Sequence, residues 1–338
     1  MSFELTLTCN LRCAHCYNFD RDRPAPPAAD SRGELDASEV RRIIREVRAE
    51  GALFLAFTGG EPTSHPALDD FVALASDEGM FVRLKSNGTL FRPDRLADLA
   101  RAGLKAVDVS LYGTSAATHD AFVRHGGSFE RTVAGIRAAK RAGLAVRLSF
   151  VLSGANLDEV AAMPEYAAAL GVAYNMDTQL TARHDGKRSP LDFALDRRAL
   201  DGLYRGPLAR FAAGRPEGGS IACPCARSVC GISAVGEVYP CIGAPLPAGN
   251  LRSASFQEIW RSSPVLRWVR SLRNEDFTAC EPCPHARFCR RTSGAMLTNT
   301  GRFDGPPRFG DDPCCVEAQV IHEIVDQQAI ADRSAPGV

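Results

Sequence analysis

TCNLRCAHCY, residues 8–17, holds three cysteines, Cys9, Cys13 and Cys16, in the spacing C-x3-C-x2-C. The residues just before it, 3–7, alternate apolar and polar side chains, which predicts a β-strand with the cysteines on the loop at its C-terminal end. Three thiolates on one loop suit an iron–sulfur cube in which one iron has no protein ligand. A structural zinc site and a disulfide framework are the alternatives for this pattern.

Composition narrows the class of protein. The chain has 338 residues, 45% of them hydrophobic, and its 40 basic and 40 acidic side chains give a formal net charge of zero. That balance gives no electrostatic reason to expect nucleic acid or a membrane surface as a partner. The sequence has neither a signal-peptide pattern nor an apolar run of transmembrane length, so we expect a cytoplasmic protein.

The 12 cysteines are unevenly distributed along the chain: three lie at 9–16 and nine at 223–315. In a reducing cytosol, clustered cysteines are more often metal ligands than disulfides. The gap between the two groups therefore predicts two separate metal-bearing regions.

Strand and helix patterns alternate through the first half of the chain. The strands predicted after the first lie at 53–57, 81–84, 106–111, 146–152 and 172–176. The helices between them cover 38–47, about 66–78, 93–102, 128–142 and 157–170, with Ser38 expected to cap the first. Six such units predict a parallel sheet, and six are too few to close an eight-stranded barrel. The expected fold is therefore α/β, a partial (β/α)6 TIM-like barrel, followed by a helix between Leu195 and Phe211 and interrupted by an irregular loop at 19–34.

Several polar or glycine-rich segments follow these strands, at the edge where the C-terminal ends of parallel strands meet. The second strand runs into Gly59-Gly60-Glu61-Pro62, in which two glycines allow close backbone approach to a ligand and the carboxylate can accept hydrogen bonds from an ammonium group. Ser86 and Asn87 end the third strand, and Ser110 ends the fourth. Stabilising a turn is the alternative role for Asn87 and Ser110.

Further polar residues allow two interpretations. Arg147 and Ser149, on the fifth strand, either contact a ligand or, for the arginine, form a structural ion pair. His184 and Asp185 follow the sixth strand and are interpreted as a solvated turn, with substrate contact as the alternative. His65, before a proline, is interpreted as part of a loop-to-helix entry.

The cysteine spacing and the Gly-Gly-Glu-Pro segment together resemble the signature of the radical S-adenosylmethionine (SAM) superfamily. That resemblance implies a 4Fe-4S cluster on Cys9, Cys13 and Cys16, whose open iron holds the amino and carboxylate groups of SAM. It implies one-electron cleavage of SAM to a 5′-deoxyadenosyl radical, glycine-segment contacts to the SAM amino group, and a ribose contact from Ser110. The SAM-binding residues that it implies are His15, Tyr17, Gly59, Gly60, Glu61, Pro62, Ser86, Asn87, Ser110 and Arg147.

The second cysteine region resembles the SPASM domain, an extension of radical SAM enzymes that binds auxiliary iron–sulfur clusters. The resemblance rests on Cys225-x10-Gly236-x4-Cys241 and on Cys280-x2-Cys283-x5-Cys289. The family's second block continues with a cysteine four positions later, where this chain has Ser293. One or two auxiliary 4Fe-4S clusters are implied, and a zinc ribbon is the alternative. Their ligands are expected among Cys223, Cys225, Cys230, Cys241, Cys280, Cys283, Cys289, Cys314 and Cys315.

The expected division gives a distal cluster Cys280, Cys283, Cys289 and one of Cys314 or Cys315. The nearer cluster would use Cys230 and Cys241 with Cys225, Cys223 or both, which would replace the thiolate missing at Ser293. Such clusters can accept the electron that a substrate radical loses when a new bond forms. The expected domains are a barrel at 1–178, a bridge at 179–222, the SPASM domain at 223–325 and a tail at 326–338.

The resemblance implies an enzyme that modifies a ribosomally made peptide, by a thioether or carbon–carbon cross-link or another oxidative change. Ile242 follows Cys241 where the sulfatase-maturing branch has a catalytic aspartate, which disfavours formylglycine formation. The first strand lies at the very start of the chain, so a separate leader-binding protein or direct grasp of the peptide is expected, with a flavodoxin- or ferredoxin-type electron donor. The alternatives are a radical SAM oxidase or decarboxylase of a sugar alcohol or tetrapyrrole, and a non-catalytic iron–sulfur or zinc regulator. Substrate, bond formed and oligomeric state stay open.

Overall fold

The structure is a computed structural model that describes residues 1–18, 33–214, 224–280, 282–289, 293–302, 310 and 312–334. Its strands are β1 (Ser2–Glu4), β2 (Phe54–Thr58), β3 (Phe81–Ser86), β4 (Leu104–Leu111), β5 (Ala145–Val151), β6 (Ala173–Asp177), β7 (Gly231–Ile232), β8 (Glu237–Tyr239) and β9 (Gly249–Asn250). Its helices are α1 (Ala37–Ala49), α2 (Leu68–Asp77), α3 (Pro93–Arg101), α4 (Ala116–Val123), α5 (Ser128–Arg141), α6 (Met163–Leu170), α7 (Arg197–Arg205), α8 (Phe256–Ser262), α9 (Pro264–Ser271), α10 (Ser293–Thr300) and α11 (Pro313–Ser334).

The first six strands form an open parallel sheet in the order β6-β5-β4-β3-β2-β1. The free side of β1 pairs with β7, and β6 stands at the other edge, so the strands do not close into a barrel. This confirms the predicted partial (β/α)6 architecture. The helices cover one face of the sheet, where residues such as Phe57, Leu84 and Val109 are 0% exposed.

The C-terminal region continues the same sheet, which the sequence patterns did not predict. β7 lies parallel to β1, with Phe3 opposite Ile232, and β8 and β9 follow antiparallel. The result is a nine-stranded sheet in which β1 is an internal strand. The boundary predicted near residue 223 therefore separates two parts of one continuous sheet. None of the described helices is both long enough and apolar enough to cross a membrane.

Helix boundaries differ from the predicted ones for local reasons. The cap of α1 is Asp36, not Ser38, because the Asp36 carboxylate accepts hydrogen bonds from the Ser38 and Glu39 backbone N–H groups. The helix predicted over 157–170 is a 3-10 turn, Leu157–Ala162, followed by α6, whose first turn contains a proline. The bridging helix is shorter than predicted and is limited to α7.

Candidate functional site

The N-terminal cysteine loop lies between β1 and the helical layer and is fixed by α4, a helix that the sequence patterns did not predict. Arg12 N donates to the Val123 carbonyl at 3.2 Å, and Ala14 N donates to the Phe122 carbonyl at 3.0 Å. Cys16 N donates to the Cys13 carbonyl at 3.2 Å, which folds the end of the loop back on itself. No two described cysteines of the chain form a disulfide, so the disulfide framework does not apply to them.

Tyr112, 7% exposed, belongs to a small apolar cluster against which Cys9 and Cys13 pack. Its pKa is raised first by burial and then by Cys13, with smaller contributions from Cys16 and Cys9. All three thiols therefore lie near Tyr112. No three described His, Cys, Asp or Glu side chains form a ready-made metal site, but three thiols on one loop beside an apolar wall suit a cluster with three cysteine ligands, which would be Cys9, Cys13 and Cys16. The ligand assignment itself stays a prediction.

His15 belongs to the wall behind the loop. Its ring centre lies 4.8 Å from that of Tyr112 and 4.7 Å from that of Phe122. Burial lowers the His15 pKa to about 4, so the imidazole is neutral at pH 7. Its Nδ1 is buried without a hydrogen-bond partner in the described residues. The planar residue before the third cysteine thus packs against aromatic rings here, and a contact with SAM stays a prediction.

The glycines after β2 let two loops lie directly against each other. Gly60 N donates to the Thr6 carbonyl at 2.6 Å, and Glu61 N donates to the Thr8 carbonyl at 2.8 Å. A Cβ on Gly60 would stand 2.0 Å from the Thr8 carbonyl oxygen, and Gly59 has φ +126. Only glycine meets both requirements. The segment therefore forms a backbone cradle beside the cysteine loop, as a SAM amino-group site would require.

Glu61 is buried beside the end of β3, and its contact with SAM stays a prediction. Its side chain is 0% exposed and accepts hydrogen bonds from Ser86 Oγ at 2.8 Å, Asn87 N at 2.9 Å and Thr63 N at 3.1 Å. Burial raises the Glu61 pKa, and these hydrogen bonds oppose that shift. An ammonium group would reach this carboxylate only if the loop moved. Glu61 and Ser86 thus tie the glycine segment to the end of β3, and the next residue, Pro62, starts a 3-10 turn.

Asn87 and Ser110 lie at the edge where the cysteine loop meets the sheet. Asn87 Nδ2 donates to Asn10 Oδ1 at 3.0 Å, and Asn10 Nδ2 donates to Thr89 Oγ1 at 2.8 Å. Ser110 hydrogen-bonds Tyr112 and stands opposite Ser149 in the sheet register. Asn87 therefore stabilises the loop, as the turn interpretation held. The ribose contact from Ser110 stays a prediction.

Arg147 forms the ion pair that was the alternative to a SAM contact. Its Nε lies 3.0 Å from Asp108 Oδ1 and its Nη2 lies 3.0 Å from Asp108 Oδ2. Arg83 Nη1 reaches the same carboxylate at 3.0 Å. Two aligned N–H groups of Arg147 are thus committed to Asp108, below the edge that carries Ser110.

His184 lies close to the cysteine loop, and this position was not predicted. Its N–H donates to the Tyr17 carbonyl at 2.8 Å, and the two rings are 5.1 Å apart. Burial lowers the His184 pKa to about 4, and a hydrogen bond with the Ile242 backbone opposes the shift. The solvated-turn interpretation holds for Asp185, which pairs with Arg183, but is wrong for His184. Its location at the end of β6 was the one signal that the sequence offered. His65 caps the turn before α2, as interpreted, by accepting a hydrogen bond from Ala67 N at 3.1 Å.

The nearer auxiliary cysteines flank the strands added to the sheet, with Cys225 and Cys230 before β7 and Cys241 after β8. Cys225 and Cys230 are each 4% exposed, and Ala226 N bonds the Pro240 carbonyl at 2.9 Å, which holds the two segments together. Burial raises the Cys230 pKa to about 12, and the neighbouring Cys241 contributes to the rise. A Cβ on Gly294 would stand 3.2 Å from Cys241 Sγ, so the start of α10 contacts this group. Cys223 lies outside the described residues.

The distal cysteines gather where α11 begins. Burial raises the pKa of Cys314 well above its ordinary value and that of Cys315 to about 11, and Cys289 raises both. Cys280 also raises the Cys315 pKa, and Cys283 N donates to the Cys280 carbonyl at 3.1 Å. Cys280, Cys289, Cys314 and Cys315 therefore lie near one another, and Cys283 follows Cys280 in the same turn. The division into two clusters and the ligands of each stay predictions.

Family models match two parts of the chain. Residues 3–167 match the radical SAM superfamily, and residues 223–285 match SPASM, an iron–sulfur cluster-binding domain. The chain is 30% identical to the AdoMet-dependent heme synthase of Methanosarcina barkeri, over 94% of this chain and 95% of that protein. It is 31% identical to the mycofactocin maturase MftC of Mycobacterium ulcerans, over 94% of this chain and 87% of that protein.

Solved structures share the fold. The structure of anSMEcpe with bound AdoMet superposes with a TM-score of 0.69 at 16% identity and covers 98% of each chain. Streptococcus suis SuiB bound to its precursor peptide SuiA gives 0.67 at 15% identity, over 92% of this chain and 75% of that one. The chain therefore belongs to the radical SAM superfamily and carries a SPASM domain, so it is an enzyme that uses a 4Fe-4S cluster and SAM together with auxiliary iron–sulfur clusters.

Proposed function

We propose that this enzyme is a peptide maturase, which abstracts a hydrogen atom from a ribosomally made peptide and leaves a cross-link or another oxidative modification. The 31% identity to mycofactocin maturase MftC over 94% of the chain supports this substrate class. When bound, the N-terminal cluster supplies the electron that cleaves SAM to the 5′-deoxyadenosyl radical. A flavodoxin- or ferredoxin-type protein is the proposed electron donor, the cytoplasm is the proposed location, and a separate leader-binding protein is the proposed partner that delivers the peptide.

The position of β1 between two cysteine regions is the observation that carries the proposal. Ser2 N donates to the Cys230 carbonyl at 3.1 Å, and the loop after β1 holds Cys9. The two regions are thus attached to one short strand. Oxidative modification needs such proximity, because the substrate radical must lose one electron before a new bond or double bond is complete.

The residues around the loop suit radical chemistry. Tyr112, Phe122 and the neutral His15 form an apolar wall behind the cysteines. Such a wall limits the access of water to the loop. His184 and Tyr17 lie at the end of the N-terminal cysteine loop that is nearer to Ile242. We place the peptide there, between the two cysteine regions.

A tetrapyrrole is the second candidate substrate. The heme synthase of Methanosarcina barkeri matches over 95% of its own length, so no large part of that protein lacks a counterpart here. The described fold suits either a peptide or a planar small molecule in the open side of the barrel.

The test is anaerobic turnover with both substrate classes. Reconstituted enzyme, SAM and dithionite are incubated with a short peptide encoded beside the gene or with a porphyrin that carries propionate groups. We expect 5′-deoxyadenosine formation to rise with the peptide, and the peptide mass to fall by two hydrogens for each bond formed. Cys13→Ala is the inactive control. Modification of the porphyrin alone would reject the peptide proposal in favour of the second candidate.

A further inference from the structure

The inner face of the partial barrel carries a row of charged side chains. Lys85 on β3 pairs in register with Asp108 on β4, which pairs with Arg147 on β5. The adjacent residues Leu84 and Val109 are 0% exposed and belong to the core beneath the helices. Because side chains alternate along a strand, the charged row faces the interior of the barrel.

Asp108 does not neutralise this row. Its side chain is 7% exposed, and both of its oxygens accept hydrogen bonds from Arg147, while Arg83 shares Oδ2. One carboxylate therefore serves two guanidinium groups. Arg147 Nη1 and Arg83 Nη2 donate no hydrogen bond to a described residue, so both keep donors for a further acceptor.

Lys85 adds a third cation. It forms no ion pair with a described carboxylate, and its side chain is exposed. Its pKa is nevertheless lowered, first by burial and then by Arg83 and Arg147, against the opposing effect of Asp108. Lys85 is thus open to solvent while it lies near two guanidinium groups. A bound anion there would offset the repulsion among the three cations.

Glu4 and Glu237 are further carboxylates at this level, on the other side of β2. Glu4 is the nearer of the two along the sheet. It stands opposite Thr58 in the register, on the far side of β2 from Lys85, and accepts a hydrogen bond from Asn18 Nδ2 at 2.9 Å. Glu4 and Glu237 lie on the β1 and β8 side of β2, whereas Arg83, Lys85 and Arg147 lie around Asp108 on β3, β4 and β5. Positive charge is therefore concentrated locally, at Lys85 and the outer edges of the two guanidinium groups.

We propose that Lys85, Arg83 and Arg147 form a binding site for a carboxylate group of the substrate, inside the barrel below the SAM edge. Ser110 lies two residues beyond Asp108 on the same face, so the site is about 7 Å below that edge. A substrate anchored there by its carboxylate would present its remaining atoms to the edge that carries the cysteine loop. This inference depends on the proposed function in one respect: the substrate must enter the barrel. A free peptide carboxylate and the propionate of a tetrapyrrole are two sources of the same group.

The test compares acids with their neutral derivatives on the reconstituted enzyme with SAM bound. One arm uses mesoporphyrin IX and its dimethyl ester, and the other uses a hexapeptide pool that lacks Asp and Glu, with free or amidated C-termini. Equilibrium dialysis gives the dissociation constant of each. The variants are Lys85→Gln, the conservative Lys85→Arg, and Lys105→Gln as a matched control, because Lys105 is an exposed lysine on the other face of β4.

We expect at least one acid to bind about tenfold or more tightly than its neutral derivative, as one charged hydrogen-bond pair predicts. Lys85→Gln should remove most of that preference, whereas Lys85→Arg and Lys105→Gln should keep it. If neither acid is preferred, or if Lys85→Gln preserves the preference, the proposal is wrong. Acid preference in the porphyrin arm alone would support this site while contradicting the peptide substrate, so the two proposals fail separately.

Discussion

The N-terminal cysteine loop and the C-terminal cysteine region are held by different means. In the loop, Cys9, Cys13 and Cys16 are half-buried, and backbone hydrogen bonds to α4 together with the contact at Gly60 fix the chain. In the C-terminal region, Cys230 and Cys314 are each 4% exposed, and burial raises the pKa of both thiols. A thiolate is costly there unless a metal offsets its charge.

This difference separates structure that precedes metal binding from structure that depends on it. The loop geometry is set by backbone contacts that need no iron. The C-terminal thiols must lose protons as iron binds, so cluster assembly and folding of that region are coupled. The predictions below test this contrast.

Cys13→Ala and Cys280→Ala should separate the two regions most clearly. We expect Cys13→Ala to reduce 5′-deoxyadenosine formation to background with a change in melting temperature of only a few degrees, because the loop keeps its backbone contacts. Cys280→Ala should retain SAM cleavage while iron content and melting temperature both fall. Liquid chromatography, iron analysis and a thermal melt measure these effects. Retained SAM cleavage in Cys13→Ala would contradict the ligand assignment.

Gly60→Ala should displace the N-terminal cysteine loop although it changes no cysteine. The added Cβ would meet the Thr8 carbonyl oxygen at 2.0 Å, so one backbone segment must move. We expect a loss of about 2–3 kcal/mol in the free energy of unfolding and weaker SAM binding, measured by denaturation and by dialysis. The control is Gly202→Ala in α7, where a Cβ has nothing within 4 Å. That change should stabilise the protein by about 0.5–1 kcal/mol, since alanine is the better helix former. If Gly60→Ala and Gly202→Ala changed the unfolding free energy and SAM binding equally, the close backbone approach at Gly60 would not be what holds the loop.

Glu317→Ala should loosen the C-terminal region. Glu317 is 3% exposed and accepts hydrogen bonds from Thr178 Oγ1 at 2.5 Å and Tyr204 Oη at 2.6 Å, which attach α11 to the end of β6 and to α7. We expect a loss of about 2 kcal/mol in unfolding free energy and faster release of iron to a chelator. Gln319→Ala, on the same helix, is the control. Iron release at the wild-type rate would show that α11 does not limit cluster retention.

Glu159→Gln should have the smallest effect, and a pH-dependent one. Burial opposes ionisation of Glu159, but hydrogen bonds from Ser115, Thr118 and Thr114 outweigh it and lower the pKa to about 2. This group's stabilisation is complete above the unfolded pKa near 4.5 and is lost as the pH falls toward 2. We expect the variant to lose about 1 kcal/mol at pH 7, after allowance for solvent screening, and less at pH 3. Urea denaturation measures it, with exposed Glu165→Gln as the control. A pH-independent difference would contradict the assignment.

The sequence predicted the barrel because each of its strand–helix units is encoded by residues close together in the chain. Continuous apolar strands and helices that stop at Gly103, Gly143 and Gly171 define each unit within a short stretch. The convergence of Gly60 on the cysteine loop also follows from parallel strands that end at one edge. Pairings between distant segments left no such signal. The Arg147–Asp108 ion pair and the approach of His184 to Tyr17 depend on register and loop path, which one sequence does not specify.

The short strand β1 has a consequence for how the chain is made. Its first neighbour in the sheet, β2, leaves the ribosome soon after it, but its second neighbour includes Ile232. Until that residue emerges, one side of β1 offers unpaired amide and carbonyl groups to any passing strand. We expect translation arrested before residue 231 to yield nascent chains that associate with chaperones, and chains arrested well beyond β9 to be released from them.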